Sequence, residues 1–478
     1  MSDIYSMSQP LSPPISSEEM GALPLGFQSL LRRIIDHYER RIATLEAELQ
    51  AVKKTPQNSS LPPSSQHPHS KLSVPRSKSK KNQGGQPGHP KQERMLVPAE
   101  ECDQVIALKP STCRGCGSTL GGSDPEPLQH QVWEVPQPQP VVTEYQLHRL
   151  GCCCGVTTCA ALPEGVPAHS SGPRLVALAG LLMGVFRLSK RRTALALQTL
   201  FGVPCSAALT VKLQGHAQRA LDPCYQELTA KLSQVDVVNL DETALKQGTN
   251  NAWLWVATTS LFTVFAIRLT RAASVAKELL GEGFRGSIVS DRYAGYNAFN
   301  TRRQICWAHL KRDFQALIDT GGKALLIGNR LMDHLNEVFH HWNRYRDGTI
   351  QRETMRRNIR QRVWSQLWDT LEDGQPCPHA PTAALCRDLF DRFDQLFLFL
   401  DRAGVEPTNN RAERALRHFV IWRKLSFGTQ SAAGSRFVET MLSVVETCRQ
   451  QNRSIFDFLT STVELHFRNR PAPSLNGV

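Results

Sequence analysis

Three acidic residues are spaced and surrounded as metal-ion chemistry would require. Asp241 closes a short β-branched run, Val235 to Thr243, that reads Val-Asp-Val-Val-Asn-Leu-Asp-Glu-Thr. Asp291 directly follows the apolar run Gly286 to Ser290, and Glu413 lies in Pro407-Thr-Asn-Asn-Arg-Ala-Glu413-Arg-Ala-Leu-Arg417, which opens a helix. Two carboxylates brought together without a basic partner repel each other, and a divalent cation relieves that repulsion. A third acid lets a site hold two Mg2+ roughly 3.5 to 4 Å apart, the arrangement that activates a water and stabilises a leaving oxygen in phosphodiester chemistry. Each acid also has a plainer reading. Asp241 and Glu242 are ordinary strand-ending polar residues, and Glu413 stands three places after Asn410, the spacing of a capping box. The three acids in this order, on these elements, weaken the plainer readings jointly.

The elements that must position the acids can be read from periodicity. Strands are expected over Val235 to Thr243, Asn251 to Thr259 and Phe262 to Leu269, then a helix over Ala272 to Leu280 closed by Gly281, then a strand over Gly286 to Ser290. A fifth strand should end before Cys306. This order is that of a ribonuclease-H-like fold, and it sets Asp241 and Asp291 side by side on neighbouring strands.

The chain has 478 residues, enough for several domains, and 41% hydrophobic content, enough for sizeable cores. Lys and Arg number 56 against 43 Asp and Glu, a net charge of +13 that points toward phosphate-bearing partners. The start has no signal-peptide pattern, and the longest apolar run, Leu175 to Phe186, is 12 residues, too short to span a bilayer. The expected setting is the cytoplasm, in association with DNA and without membrane contact.

Residues 1–22 read as disordered. Within 23–54, Leu31, Ile35, Tyr38, Ile42, Leu45, Leu49 and Val52 recur at alternating steps of four and three, the a/d pattern of a short coiled coil. Self-association through 31–52 follows from that reading; a single amphipathic helix packed on its own protein is the alternative. Residues 55–98 form a linker rich in Ser, Pro, Gln and Gly, and its Arg76, Lys80 and Lys81 are candidate DNA contacts.

Seven of the 13 cysteines fall between Cys102 and Cys159. Without an export signal that density suggests metal rather than disulfides. Within 99–166, Cys113-Arg-Gly-Cys116-Gly is half of a zinc knuckle. Its partner should repeat that spacing, but Gly151-Cys-Cys-Cys-Gly155 puts Gly151 at the first ligand position. The expected ligands of one structural Zn2+ are Cys113, Cys116, Cys154 and a neighbour, with Cys152 preferred and Cys153 or Cys159 open. A second half that has lost its metal is the alternative.

Residues 167–232 read as a helical region. Ser189 to Gln218 has a helix, a Phe-Gly-Val-Pro turn at 201–204 and a second helix opening at Ser206, as in a helix-turn-helix, with Lys190, Arg191 and Lys212 as candidate DNA contacts. The first part of the core is 233–311. Cys306 and His309 have metal-ligand spacing but no second pair nearby, which favours a structural role. From 312 to 404 the pattern is helical, with Trp342, Trp364 and Trp368 as core and a basic run that includes Arg356 and Arg360. Asp291 and Glu413 are 122 positions apart, so this stretch reads as an all-α insertion before the second part of the core, 405–465. A strongly amphipathic helix around Phe437 to Cys448 should pack beneath the helix of Glu413, and the tail, 466–478, reads as loose.

Several of these motifs together resemble one family. Leu240-Asp-Glu-Thr243, Ser290-Asp-Arg-Tyr-Ala-Gly-Tyr296, Cys306-Trp-Ala-His309 and Thr408-Asn-Asn-Arg-Ala-Glu-Arg-Ala-Leu-Arg417 resemble the bacterial insertion sequence 66 transposases. Asn58-Ser-Ser-Leu-Pro-Pro-Ser-Ser65, Gly85-Gln-Pro-Gly88 and the cysteine region extend the likeness over residues 30–460. The resemblance implies a DDE transposase with Asp241, Asp291 and Glu413 as its triad, and Cys306, His309, Asn410 and Arg414 as family signature residues. It implies Mg2+ (or Mn2+), two ions, cleavage at the element's terminal repeats and joining of the 3′-hydroxyls to target DNA, with two small accessory proteins as possible partners. Gly151 and Arg292 depart from the family pattern. A catalytically inactive DNA-binding repressor, or a nuclease without strand joining, are the competing functions.

Overall fold

Leu25–Lys53 forms one continuous helix, α1. Of the expected heptad positions, Ile35 and Tyr38 are exposed; the side chains at Ile42, Leu45, Leu49 and Val52 lie outside the described residues. The computed structural model describes residues 21–53, 58 and 95–475, so nearly all of 1–22 and of the 55–98 linker, including Arg76, Lys80 and Lys81, lies outside them too. The described residues divide into two compact units, 95–163 with 188–212, and 21–58 with 164–187 and 213–475.

The first of these units has little regular structure. Strands β1 (Arg149–Gly151) and β2 (Thr157–Cys159) pair antiparallel, and the unit also contains α3 (Lys190–Phe201) and the first turn and a half of α4 (Ala207–Lys231). Helix α3 is capped at Ser189, whose hydroxyl accepts the Arg192 N–H, and stops at Gly202, which takes φ 64°. A left-handed stop of this kind suits glycine, which has no Cβ to clash. Helix α4 runs 25 residues, much longer than the second helix of a helix-turn-helix needs.

The other unit is built on a mixed five-stranded sheet. Its strands are β3 (Val237–Gln247), β4 (Asn250–Thr258), β5 (Thr263–Arg268), β6 (Ser287–Ser290) and β7 (Arg303–Ile305). The order is β5-β4-β3-β6-β7, antiparallel from β5 to β3 and parallel from β3 to β7. Gln247 pairs with Asn250, leaving a two-residue turn in which Gly248 adopts φ 59°. Helix α5 (Ala273–Leu280) supplies the crossover to β6. Ahead of the sheet lies α2 (Pro173–Gly184), whose Val176, Ala177, Ala179 and Met183 are buried as its apolar run requires.

After β7 come α6 (Trp307–Thr320), α7 (Gly322–Arg346), α8 (Arg352–Ile359), α9 (Ser365–Gly374), α10 (Ala380–Asp391) and the single turn α11 (Leu398–Asp401). A π-helical stretch, Arg360–Trp364, joins α8 to α9. The helical segment thus begins at 307 rather than 312. It shares one apolar cluster with the sheet, since Val289 of β6 and Ile305 of β7 pack with Trp307, Phe314, Leu331, Leu367 and Phe397. Trp342 and Trp364 pack against this cluster, but Trp368 is 40% exposed, against expectation, because it stacks on Phe390 at the rim.

Helix α12 (Asn410–Ser426) lies on β3 and β4. Helix α13 (Ala432–Gln450) packs on β5 rather than beneath α12, and its polar side chains explain why. Glu439, Ser443 and Thr447 accept the N–H groups of Ile267, Phe265 and Thr263 at 2.5, 2.8 and 3.1 Å. The open edge of the sheet is thereby covered, as exposed strand edges must be. The tail corrects its expectation as well. After α14 (Ile455–Phe467) the chain stays docked through 475: Leu475 is fully buried, and Ser474 and the Leu475 carbonyl bond Glu227 and Gln451. Among the described residues no helix is long and apolar enough to cross a membrane.

Candidate active site

Val237 lies opposite Ser287 and Asn239 opposite Val289 in the parallel pair β3/β6. Carried forward by two places, that register sets Asp241 level with Asp291, the first residue beyond β6. Asp241 Oδ1 accepts the Glu242 N–H at 2.9 Å. Burial pushes the Asp241 carboxyl well above the ordinary carboxylate range, and the charges of Glu242, Asp291 and Glu413 push in the same direction. Four carboxylates therefore act on one another here.

The loop that carries Asp291 is held from below. Asp291 Oδ1 accepts the Tyr293 N–H at 2.9 Å, closing a local turn. Arg303 is 1% exposed; it donates to Ser290 Oγ at 2.9 Å and Asn297 Oδ1 at 3.0 Å, and to the carbonyl oxygens of Asp291 and Tyr293. Burial pulls the Arg303 guanidinium down to about 10, while the Asp291 charge opposes that drop.

Glu413 stands in the first turn of α12, where the positive end of the helix dipole favours an anion. Its Oε1 is 3.6 Å from His309 Nδ1 and 3.9 Å from an Arg312 nitrogen, approaches too long for hydrogen bonds. His309 Nδ1 is buried with no hydrogen-bond partner. Burial, then Arg312, lower the imidazole pKa, and Glu413 works against them.

The helix N-terminus is set by Asn409, which sequence reasoning passed over in favour of Asn410. Asn410 is exposed, and so is Arg414. Asn409 is the residue before the first turn, and its buried side chain, instead of capping its own helix, reaches across the sheet. Its amide donates to the Leu240 carbonyl at 2.7 Å and accepts from Asn239 at 3.0 Å. Its backbone N–H meets Cys306 Sγ at 3.1 Å. One residue therefore links the strand of Asp241, the helix of Glu413 and the end of β7. Burial pushes the Cys306 thiol up to about 12, and its sulfur serves here as the acceptor of the Asn409 backbone N–H. A pair of adjacent asparagines after a proline was the only local signal.

Glu242 is the other residue whose role emerges only in the structure. Its side chain is 2% exposed and pairs with Arg271 at 2.6 Å. Its second oxygen accepts the Tyr296 hydroxyl. Arg271 stacks on the Tyr293 ring at 4.0 Å, and the Tyr293 hydroxyl donates to the Arg271 carbonyl at 2.6 Å. Glu242 is thereby committed to tying β3 to the segment that follows Asp291. Arg292, the departure from the family pattern, bonds Asp313 and Asp388, both at 2.9 Å, so it anchors the same loop to the helical segment.

Among the remaining sequence-derived residues, Arg191 and Lys212 are exposed, whereas burial pulls half-buried Lys190 down to about 8. Arg356 pairs with Glu353 at 2.9 Å and Asp401 at 3.2 Å, and Arg360 with Asp401 at 2.6 Å. Both arginines are engaged within the fold. In the cysteine unit, Gly117 and Gly155 take φ 76° and 85° and close two turns. In the first, Cys113 N–H meets the Ser118 carbonyl at 2.8 Å; in the second, Cys152 N–H meets that of Val156 at 2.9 Å. The second turn is one residue shorter, which brings Cys152 in place of Gly151 to its start. The Cys116 thiol is lowered to about 7, first by its hydrogen bond to Ser118, and Cys152 Sγ lies 3.9 Å from Cys153 Sγ. Among the described residues no three His, Cys, Asp or Glu side chains form a closed metal-ligand group in this conformation; the relation among the acids is electrostatic.

A family model described as "Transposase IS66 family" matches residues 170–436. Three curated relatives are uncharacterized proteins of Sinorhizobium fredii (strain NBRC 101917 / NGR234). The protein y4qI is 25% identical over 311 residues, 58% of this chain and 56% of its own length. The protein y4hP is 24% identical over 393 residues, 73% of this chain and 69% of its own length. The protein y4jO is 26% identical over 200 residues, 41% of this chain and 58% of its own length. The chain thus spans little more than half the length of two of these relatives.

Proposed function

The chain belongs to the Transposase IS66 family, and from that premise we propose that it is a DNA transposase with a ribonuclease-H-like core and Asp241, Asp291 and Glu413 as its catalytic carboxylates. One observation carries the reading: the parallel register of β3 and β6 sets Asp241 level with Asp291, on the strand against which the helix of Glu413 packs, and burial together with the neighbouring acids opposes the ionisation of Asp241. Evolution of a fold does not gather such charges for stability, because each raises the cost of ionising the others.

The donor set fits divalent cations. Asp241, Asp291 and Glu413 offer hard oxygen donors, and both oxygens of Glu242 are already engaged, by Arg271 and by the Tyr296 hydroxyl. When bound, Mg2+ or Mn2+, in two sites, supplies the charge that activates a water or a DNA 3′-hydroxyl and stabilises the leaving oxygen. The chain's own residues prepare that site. Asn409 sets the spacing of the Asp241 strand and the Glu413 helix, Arg303 holds the Asp291 backbone, and His309 and Arg312 bound the space in which the Glu413 carboxylate moves. The substrate is the phosphodiester at the element's ends, and then target DNA. In the cysteine unit, Cys113, Cys116, Cys152 and Cys154 are proposed to bind one structural Zn2+, and α1 to mediate self-association.

The test is cleavage of labelled DNA carrying the element's own ends, with Mg2+ and with EDTA, by wild type and Glu413→Gln. Metal-dependent nicking that vanishes in the variant supports the triad. Nicking that persists in Glu413→Gln removes Glu413 from it.

A further inference from the structure

The strongly basic surface nearest the sheet is not the arginine run of the helical segment. At the opposite end of the parallel strands from the acids, a cleft of about 500 Å³ is lined by Ser233 to Val237, Arg285 to Ser287, Arg302, Arg402 and Ala403. A second cleft, of about 600 Å³, shares Arg285, Gly286 and Arg302 with it and adds Lys277. The two are therefore one groove that carries Lys277, Arg285, Arg302 and Arg402 against Asp236 and Glu282. All four basic residues are exposed. None makes an ion pair among the described residues, and the side chains of Arg285 and Arg402 make no hydrogen bond there either. Arg356 and Arg360 differ in this respect: their charge is spent on Glu353 and Asp401.

A side chain at Gly286 would run into the Val235 carbonyl and the Phe284 ring, so β6 enters flush against the start of β3. A mostly polar groove that carries the guanidinium forks of Arg285 and Arg402, with Arg302 donating to the Arg285 carbonyl beside them, suits a phosphodiester, whose paired oxygens match the guanidinium donors. From Val237 to Asp241, and equally from Ser287 to Asp291, is four residues, or about 13 Å of parallel strand.

We propose that this groove binds the backbone of DNA at a distance from the bond being cut, through Arg285, Arg302 and Arg402. The proposal rests on the transposase reading and names where the protein holds its DNA away from the acids. The groove binds without regard to base sequence, because guanidinium-phosphate contacts carry no sequence information.

The test uses the full chain with the double variant R285Q/R402Q, chosen because neither side chain bonds anything among the described residues. Binding to a duplex carrying the element's ends and to an unrelated duplex is measured from 50 to 200 mM salt. Each phosphate contact contributes about 0.9 to the slope of log affinity against log salt, so the variant should lose roughly 2 from the slope and about tenfold or more in affinity for both duplexes. Restoring charge with R285K/R402K should recover most of the slope. R356Q/R360Q should bind as wild type does. Wild-type affinity and slope in R285Q/R402Q overturn the groove, as does a loss confined to the element's ends. The catalytic reading is tested apart from this by Asp241→Asn, which should keep full binding in either case.

Discussion

Beside Asp241 the sheet interior is closed to solvent: Val238, Leu240, Ile288, Val289 and Ile305 are all inaccessible, and the backbone that carries Asp291 is held by Arg303. From 95 to 163 almost nothing is buried, and Val105, Ile106, Leu108, Leu128, Val141 and Val142 all stand exposed. The reactive side chains of both regions are acids or thiols, but their positioning has different sources. In the first, an apolar core fixes the backbone, so charges can be crowded at a cost that the core offsets. In the second, two glycine turns present thiols with no buried residue among those described from 95 to 163, and the zinc proposed above would supply what a core does not.

The contrast is broken most decisively at the cysteines. Structural zinc contributes on the order of 10 kcal/mol in small cysteine domains, so Cys113→Ser should abolish zinc uptake and expose 95–163 to limited proteolysis while the thermal transition of the sheet stays in place. Equal protease resistance with and without zinc would show that some other contact orders the segment. Next in size is Asp241→Asn. The several kcal/mol a metal site supplies to phosphoryl transfer corresponds to about a thousandfold loss of cleavage. DNA binding should persist, and Tm in the absence of metal should rise because a repelled charge is gone. A folded Asp241→Asn protein that no longer binds DNA would falsify the assignment.

Asn409→Ala tests whether the core alone sets the acids. It leaves the Leu240 carbonyl and the Asn239 amide unsatisfied, a cost of about 1 to 3 kcal/mol. Beyond that loss of Tm, the Mg2+ concentration for half-maximal cleavage should rise, with DNA affinity unchanged. A lower Tm with the same metal dependence makes Asn409 structural only. Smallest is Arg360→Ala, whose exposed pair with Asp401 is worth about 1 kcal/mol or less; neither stability nor DNA binding should move measurably, and a large drop in affinity would return the arginine run to the DNA interface.

Much of the core was legible beforehand because its signals are local. The β-branched run that carries Asp241, the glycine after Leu280 and the acid after Ser290 each announce an element from its own residues, and β4, β5 and β6 lie within one residue of the expected strands, whereas β3 runs on to Gln247, four residues past its expected end. The misses share a different cause. Trp368 looked like core because tryptophan usually is, yet its neighbour Phe390 stands at the rim. The tail looked loose because it is polar and short of apolar residues, yet one buried leucine and bonds to Glu227 and Gln451 hold it. Helix α13 has the amphipathic pattern of a core helix, but its pattern does not say which surface it covers.

What the amino-acid order determined alone is the succession of strands and helices and the acids they carry, although β3 continues past Asp241 to Gln247 where the run was expected to close at Thr243. Those follow from periodicity and turn chemistry within a dozen residues. What only the tertiary structure decided is which side chains are spent and which are free. Asn409 instead of Asn410 reaches Leu240, 169 positions away; Glu242 is paired with Arg271; Arg356 and Arg360 are claimed by Asp401, while the side chains of Arg285 and Arg402 have no ion-pair or hydrogen-bond partner among the described residues. A side chain's charge is visible in the sequence, but its availability depends on partners that chain folding brings from far away, and local pattern carries no record of them.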